Sequence, residues 1–304
     1  MKNPIFIVGL PRSGSTLWLN IFAQNPKIYR MGEMLYLTPW RKDFKYFLKY
    51  QLGDLTKKET VDKLIECTFS RKRLPGLTAP FWYYDIEKAD DPKLREIIRQ
   101  RILASDRSLE SIFKAFVEEI THFKGYERPC MKFPVYINHA PKLLKWYPQC
   151  KIIHIIRDPR ATAISRTNDP GGTQYKLKKY PYLSYFIKRI MILFVIVQYI
   201  WSSKLHIQYK KYKNYTLFCY EDLLNNPEEI IKQLCDFTEI EFVPEMLHPK
   251  AGQASSVTGK KHSGFDKNAA FRWEKVISPF AKSVITLLTK SSMKRFGYFP
   301  EKYK

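Results

Sequence analysis

Ile5-Phe6-Ile7-Val8 is an unbroken apolar run that stops at Gly9, and Ile152-Ile153-His154-Ile155-Ile156 is another that follows Lys151. Short runs of this kind, rich in isoleucine and without polar alternation, suit strands covered on both faces. Strands so covered belong to parallel sheets, and parallel neighbours need long crossovers between them. The intervening sequence supplies helices for that purpose. One is expected over 14–25, stopped by Pro26. Thr56 with Glu59 reads as a capping box inside a Lys-rich, aromatic-rich helical region. Asp91 before Pro92 reads as an N-cap with proline at the first helical position. Further helices are expected over 108–122, from Asn138 to near Trp146, over 183–213, after Asn226-Pro227 and after Ser278-Pro279. Residues 129–133 and 215–219 read as two more strands. Strands alternating with helices predict an α/β fold with a central parallel sheet and helices on both faces.

No period of repeats and no low-complexity linker divides the 304 residues, so residues 1–304 are expected to form a single domain. An apolar content of 45% is enough for a sizeable core. Lys and Arg number 52 against 29 acidic residues, a net +23. That field draws polyanions: nucleic acid, an anionic membrane or a small phosphorylated ligand. The same balance also arises from the coding bias of a source. Basic triplets such as Arg71-Lys72-Arg73 occur, yet no nucleic-acid signature accompanies them, so no nucleic-acid partner is expected. The five cysteines are scattered without a CxxC pair and read as buried free thiols of a reducing compartment. No zinc pattern exists among the six histidines. Met1-Lys2-Asn3-Pro4 runs straight into the first strand, which predicts no signal peptide and a cytoplasmic location. Ile190 to Val197 is continuously apolar, but short of the roughly 20 residues that span a bilayer. It is expected to be a buried core helix. The alternative is a helix lying on a membrane surface, a peripheral contact.

Gly9-Leu10-Pro11-Arg12-Ser13-Gly14-Ser15-Thr16 follows the first strand. Its G-x4-G spacing before Ser-Thr is that of a phosphate-binding P-loop, except that Ser15 stands where lysine is usual. Small residues let backbone N–H groups converge on an anion at the positive end of the next helix. NTPases and kinases use the missing lysine with Mg²⁺ to neutralise a triphosphate. Here Arg12 is the cation, and no acidic metal site stands at a strand end. The loop therefore suits a less charged nucleotide handled without metal. The expected architecture is a P-loop-like three-layer α/β/α fold.

At this point the chain resembles the sulfotransferases that use PAPS (3′-phosphoadenosine 5′-phosphosulfate). The run from Phe6 to Thr16 is similar to that family's 5′-phosphosulfate loop, which implies nucleotide contacts from Pro11, Arg12, Ser13, Gly14, Ser15 and Thr16. Ile155-Ile156-Arg157-Asp158-Pro159-Arg160-Ala161, with Ser165 eight residues after Arg157, resembles the 3′-phosphate motif, in which that Arg and Ser hold the phosphate. Tyr220-Glu221-Asp222-Leu223-Leu224 before Asn226-Pro227 resembles the strand–helix junction near the nucleotide. Cys130-Met131-Lys132-Phe133-Pro134 is similar to the C-x-K-x-P segment of tyrosylprotein sulfotransferases and bacterial relatives. Arg272-Trp273 is similar to bacterial members.

The resemblance implies in-line transfer of a sulfuryl group from PAPS to a hydroxyl, leaving PAP. Arg12 and Lys132 are the candidate cations for the charge that builds on the leaving oxygen. The histidine that cytosolic members place after a Lys-Thr pair is absent, since Phe133-Pro134 stands there. Glu33, in Met31-Gly32-Glu33-Met34, matches a Gly-Glu of tyrosylprotein and carbohydrate members and is the candidate base. His139 and His262 are the reserves, and Ser263 is a weaker match to a serine near the sulfonate. Trp40, Phe44, Tyr46, Phe47, Trp82, Tyr83 and Tyr84 could line an apolar acceptor pocket, stack on sugars or form core. A lipophilic alcohol such as a sterol or lipid is the favoured acceptor, with a glycan or peptide tyrosine as alternatives. Two other readings compete, a P-loop kinase and a nucleic-acid-binding protein.

Overall fold

The structure, a computed structural model, describes residues 2–33, 52–69, 89–134, 136–169, 180–250 and 264–299. Its strands are β1 (Ile5–Gly9), β2 (Ile28–Glu33), β3 (Arg128–Pro134), β4 (Lys151–Ile156) and β5 (Tyr215–Cys219). They form one parallel sheet in the order β2-β3-β1-β4-β5. The helices are α1 (Ser15–Phe22), α2 (Lys58–Phe69), α3 (Pro92–Leu103), α4 (Leu109–Phe123), α5 (Ala140–Trp146), α6 (Pro159–Thr167), α7 (Pro181–Tyr209), α8 (Tyr220–Asn225), α9 (Pro227–Thr238) and α10 (Pro279–Arg295). The expected α/β architecture is therefore the observed one, with helices flanking a parallel sheet of P-loop-like type.

The chain divides into two compact units, one of residues 1–6 and 25–151, the other of residues 7–24 and 152–304. In the first, β2 and β3 run parallel, with Glu33 opposite Lys132. An aromatic core backs them. The Phe113 ring lies 5.2 Å from Trp146, 6.5 Å from Phe133, 6.5 Å from Phe6 and 6.3 Å from Tyr147, centroid to centroid. Asp91 caps α3 by accepting the Lys93 N–H at 2.8 Å, and Ser108 caps α4 by accepting from Ser111 at 3.2 Å.

In the second unit β4 pairs with β5 in register Ile152↔Tyr215 to Ile156↔Cys219. Every residue of β4 is buried, His154 included. Its ring nitrogens meet the Tyr215 hydroxyl at 2.8 Å and the Ser202 hydroxyl at 3.0 Å. Burial drives the His154 pKa down to about 3, so the ring stays neutral and serves the core.

Five expectations need correction. Residues 28–33 are not the start of a helical region but strand β2, because Gly32 at φ 78° and a register shift after Arg30 hide the alternation. Thr56 forms no capping box, since its amide and hydroxyl both donate to Asp54 and the helix begins at Lys58. The first helix ends at Phe22, and the long one spans Pro181–Tyr209. The run 190–197 is not wholly buried. Val195 and Ile196 pack against Ala163 and Ile285, while Ile190, Leu193, Phe194 and Val197 face solvent. Consecutive residues wrap the whole helix, and only one face meets protein. By length and composition alone, residues Tyr182–Tyr209 would suffice to cross a membrane.

All five cysteines are free thiols, four of them buried. Burial pushes the Cys150 thiol up to about 12 and the Cys130 thiol higher still.

Truncating Phe113, which is fully buried, leaves a cavity among four rings. Phe113→Ala is expected to lower unfolding free energy by about 3–5 kcal/mol, measured by urea denaturation.

Candidate functional site

The loop between β1 and α1 is held by neighbours that tolerate no side chain at two places. A Cβ on Gly9 would stand 2.4 Å from the Ile155 carbonyl oxygen. One on Gly14, at φ 92°, would stand 2.3 Å from Cδ2 of the Tyr220 ring. Arg12 takes the left-handed region at φ 74° without being glycine, a strain that persists only where surroundings dictate it. The Ser13 N–H closes the turn on the Leu10 carbonyl at 3.1 Å. Ser15 is the buried first residue of α1, with Thr16 next, and Gly14 precedes them without any side-chain cap. The Leu17 N–H turns back on the Gly14 carbonyl at 2.8 Å, which leaves the Ser15 and Thr16 N–H groups of that first turn to a ligand or solvent.

Arg157 leaves the end of β4 and reaches back to this loop. Its Nη1 donates to the Arg12 carbonyl at 3.2 Å and its Nη2 to the Ala269 carbonyl at 2.9 Å. The guanidinium lies over the Tyr220 ring, 4.5 Å from the centroid. Ser165, buried on α6, accepts from Arg12 Nε at 3.2 Å, and a second Arg12 nitrogen lies 3.8 Å from Asp169. The structure therefore brings together Arg12, Gly14, Arg157, Ser165 and Tyr220. Arg157 is no surface cap, and Asp158 supplies the cap by accepting from the Arg160 N–H at 2.7 Å.

Two donors in this cluster fit an anionic guest. The Ser13 hydroxyl is 1% exposed and has no hydrogen-bond partner, and Arg157 Nε is buried and likewise unmet. Buried polar atoms rarely go without partners. A hydroxyl and a guanidinium N–H so placed beside a helix N-terminus match the donor set a phosphate group takes.

The other candidates lie in the first unit. Lys132 is 6% exposed on β3, so it is not a snorkelling surface lysine. Glu33 is the last residue of β2, not a helix N-terminal glutamate, and it stands opposite Lys132 in the parallel register. His139 directly precedes α5 without capping it, and its ring approaches Asn138 at 3.4 Å. His262, Ser263 and the aromatics at 40–47 and 82–84 lie outside the described residues, as do Arg71, Lys72 and Arg73.

Sequence reasoning missed the layer behind Arg157. Glu221, fully buried, accepts from the Asp158 N–H at 3.1 Å and from the Tyr298 hydroxyl at 2.6 Å. Asp158 and Arg160 form a buried ion pair at 2.6 Å, and Arg160 lies 4.6 Å over the Trp273 ring. In Tyr220-Glu221-Asp222-Leu223-Leu224 nothing local marks which of the two carboxylates is buried. Burial is the main force on Glu221 and raises its pKa from 4.5 to about 7, against the opposing pull of Arg157.

A carboxyl whose pKa rises on folding binds its proton more tightly when folded. The stability this confers is complete below about pH 4.5 and is lost as pH climbs through 7. Glu221→Gln stays neutral. The stability advantage of the native chain over this variant is expected to shrink between pH 5 and 8, by at most on the order of 3 kcal/mol. Urea titrations at the two pH values check it, and an advantage that grows with pH would contradict the assignment.

Residues 4–244 match the model of a family described as the sulfotransferase family. A Caenorhabditis briggsae protein named "Putative protein-tyrosine sulfotransferase" is 26% identical, over 80% of this chain and 68% of its own length. An uncharacterized protein of Aquifex aeolicus is 21% identical across the whole chain, which spans 34% of that relative's length. Among solved structures, the sulfotransferase domain of the Synechococcus PCC 7002 olefin synthase superposes with a TM-score of 0.56 at 20% identity, covering 98% of this chain and 96% of that one. The sulfotransferase domain of the curacin biosynthetic pathway does so with 0.58 at 18% identity, covering 98% of each. With the family matched over most of its length, the chain belongs to the sulfotransferase family.

Proposed function

We propose that residues 1–304 form one sulfotransferase domain that moves a sulfuryl group from PAPS to a hydroxyl of a small-molecule or glycan acceptor. The observation that carries this reading is the pair of unmet donors, Ser13 Oγ and Arg157 Nε, in a loop built around Arg12 and Gly14. PAPS supplies the activated sulfuryl group and the chain supplies the rest. The loop N–H groups and Ser13 hold the 5′ end. Arg157 and Ser165 grip the 3′-phosphate, with Tyr220 supporting the Arg157 guanidinium from behind. Lys132 and Arg12 offset the negative charge that grows on the departing oxygen. Glu33 takes the acceptor's proton. A lipophilic alcohol is the acceptor favoured by the aromatic-rich segments 34–50 and 70–88. The cytoplasm is the compartment favoured by five cysteines without a disulfide.

If Arg157 grips the 3′-phosphate, Arg157→Ala weakens PAPS by on the order of 1.5–3 kcal/mol. Adenosine 5′-phosphosulfate, which lacks that group, is affected far less. Titration calorimetry with both nucleotides tests the grip, and equal losses would remove the assignment.

Glu33→Gln keeps the side-chain size and removes the proton acceptor. Turnover is expected to fall about 10²–10⁴-fold with PAPS affinity and thermal stability unchanged. A fully active variant would shift the base to His139 or His262.

A further inference from the structure

The exposed face of α7 is built unlike an ordinary protein surface. Tyr182, Phe186, Ile190, Leu193 and Val197 follow at spacings of four, four, three and four, which places them in one stripe along the helix. All five face solvent, Tyr182 at 92%, Val197 at 64% and Phe186 at 61% exposure. The opposite side, with Val195, Ile196, Tyr199, Ser202 and Ser203, is buried. A second apolar stripe lies on α10, where Phe280 is 67% and Leu287 73% exposed. The two helices share a core of Val195, Ile196 and Ile285. Arg189 links their exposed sides, with its guanidinium 4.4 Å from the Tyr185 ring centroid and 5.7 Å from that of Phe280.

The charge on these helices has one sign. Lys188, Arg189 and Lys204 on α7 and Lys282, Lys290, Lys294 and Arg295 on α10 are accompanied by no aspartate or glutamate on either helix. The whole chain carries +23. Apolar and aromatic side chains on two helices whose charged residues are all lysine or arginine match an interface with hydrocarbon beneath and anionic headgroups around it. A second copy of this chain would bring the same cations against these, which opposes self-association. Nor can α7 span a bilayer in the folded protein, because its other face is committed to the core and cannot be ringed by lipid.

We propose that the α7–α10 face docks the protein on the surface of an anionic lipid bilayer, with Tyr182, Phe186, Leu193, Val197 and Phe280 entering the headgroup–acyl boundary. This rests on the surface alone and stands or falls independently of the nucleotide chemistry.

The test is cosedimentation of the full chain with sucrose-loaded vesicles. One set is phosphatidylcholine; in the other about a third of the lipid is phosphatidylglycerol. Binding to the anionic set is expected to be at least about tenfold tighter than to the neutral set and to weaken in about 0.5 M salt. Phe186→Glu with Leu193→Glu should lower it at least about tenfold. Phe186→Ser with Leu193→Ser should also lower it, which separates apolar insertion from added charge. Both pairs are solvent-exposed, so melting temperature should hold. Absence of binding to anionic vesicles, or binding that ignores both double variants, overturns the proposal. Self-association without vesicles that the double variants abolish would assign the face to a second copy. Equally tight, variant-sensitive capture by polyglutamate would assign it to an acidic protein. Either result also overturns the lipid reading.

Discussion

One guanidinium ties together the loop after β1, the end of β4 and the start of α8. Arg157 spends two of its nitrogens on carbonyls from separate segments, Arg12 in the loop and Ala269 near the C-terminal end, while its plane rests on Tyr220 at the start of α8. Tyr220 in turn presses on Gly14 so closely that no Cβ fits. The loop conformation, the end of β4 and the start of α8 are thus determined jointly. An always-charged planar fork is suited to this, since it can bond two carbonyls in its plane and still present a face to an aromatic ring. Lysine in its place would supply charge without the geometry.

The layer beneath shows how such a cation is kept in place. Glu221 is buried with no direct ion pair among the described residues, and two neutral donors, the Asp158 N–H and the Tyr298 hydroxyl, occupy its oxygens. Asp158 caps α6, pairs with Arg160 and offers its amide to Glu221. The helix carrying Ser165 is therefore anchored at its first turn by the residues that follow Arg157. Buried polar groups of this sort specify one arrangement when every member is satisfied.

The sequence was most legible where local chemistry and tertiary context agree. The isoleucine-rich β4 and the residues of β5 were readable to the residue, and so was the cap Asp91, because a short polar side chain before Pro at a first turn has few other uses. The phosphate loop was legible because its glycines answer to sterics. Strand β2 was not, since Gly32 and the shift after Arg30 break its alternation. Glu221 was not, because a lone glutamate gives no sign of burial until Tyr298, 77 residues later, is placed against it. The α7 surface was misread because a continuous apolar run does not say which of its sides meets protein.

Residues 9–15 are synthesised well before residue 157, whose side chain helps to shape them. Their unit is completed only by residues 152–304, and the bond from Arg157 to the Arg12 carbonyl closes 145 positions. At about 5–20 residues per second the nascent chain waits roughly 7 to 30 s before Arg157 is even joined to it. Through that interval the bond from Arg157 to the Arg12 carbonyl is missing, and the long closure makes the contact entropically late. Residues 25–151, with their own aromatic core, are continuous and available first. The packing of the loop against Arg157 and Tyr220 is therefore completed only after residues 157 and 220 have been made.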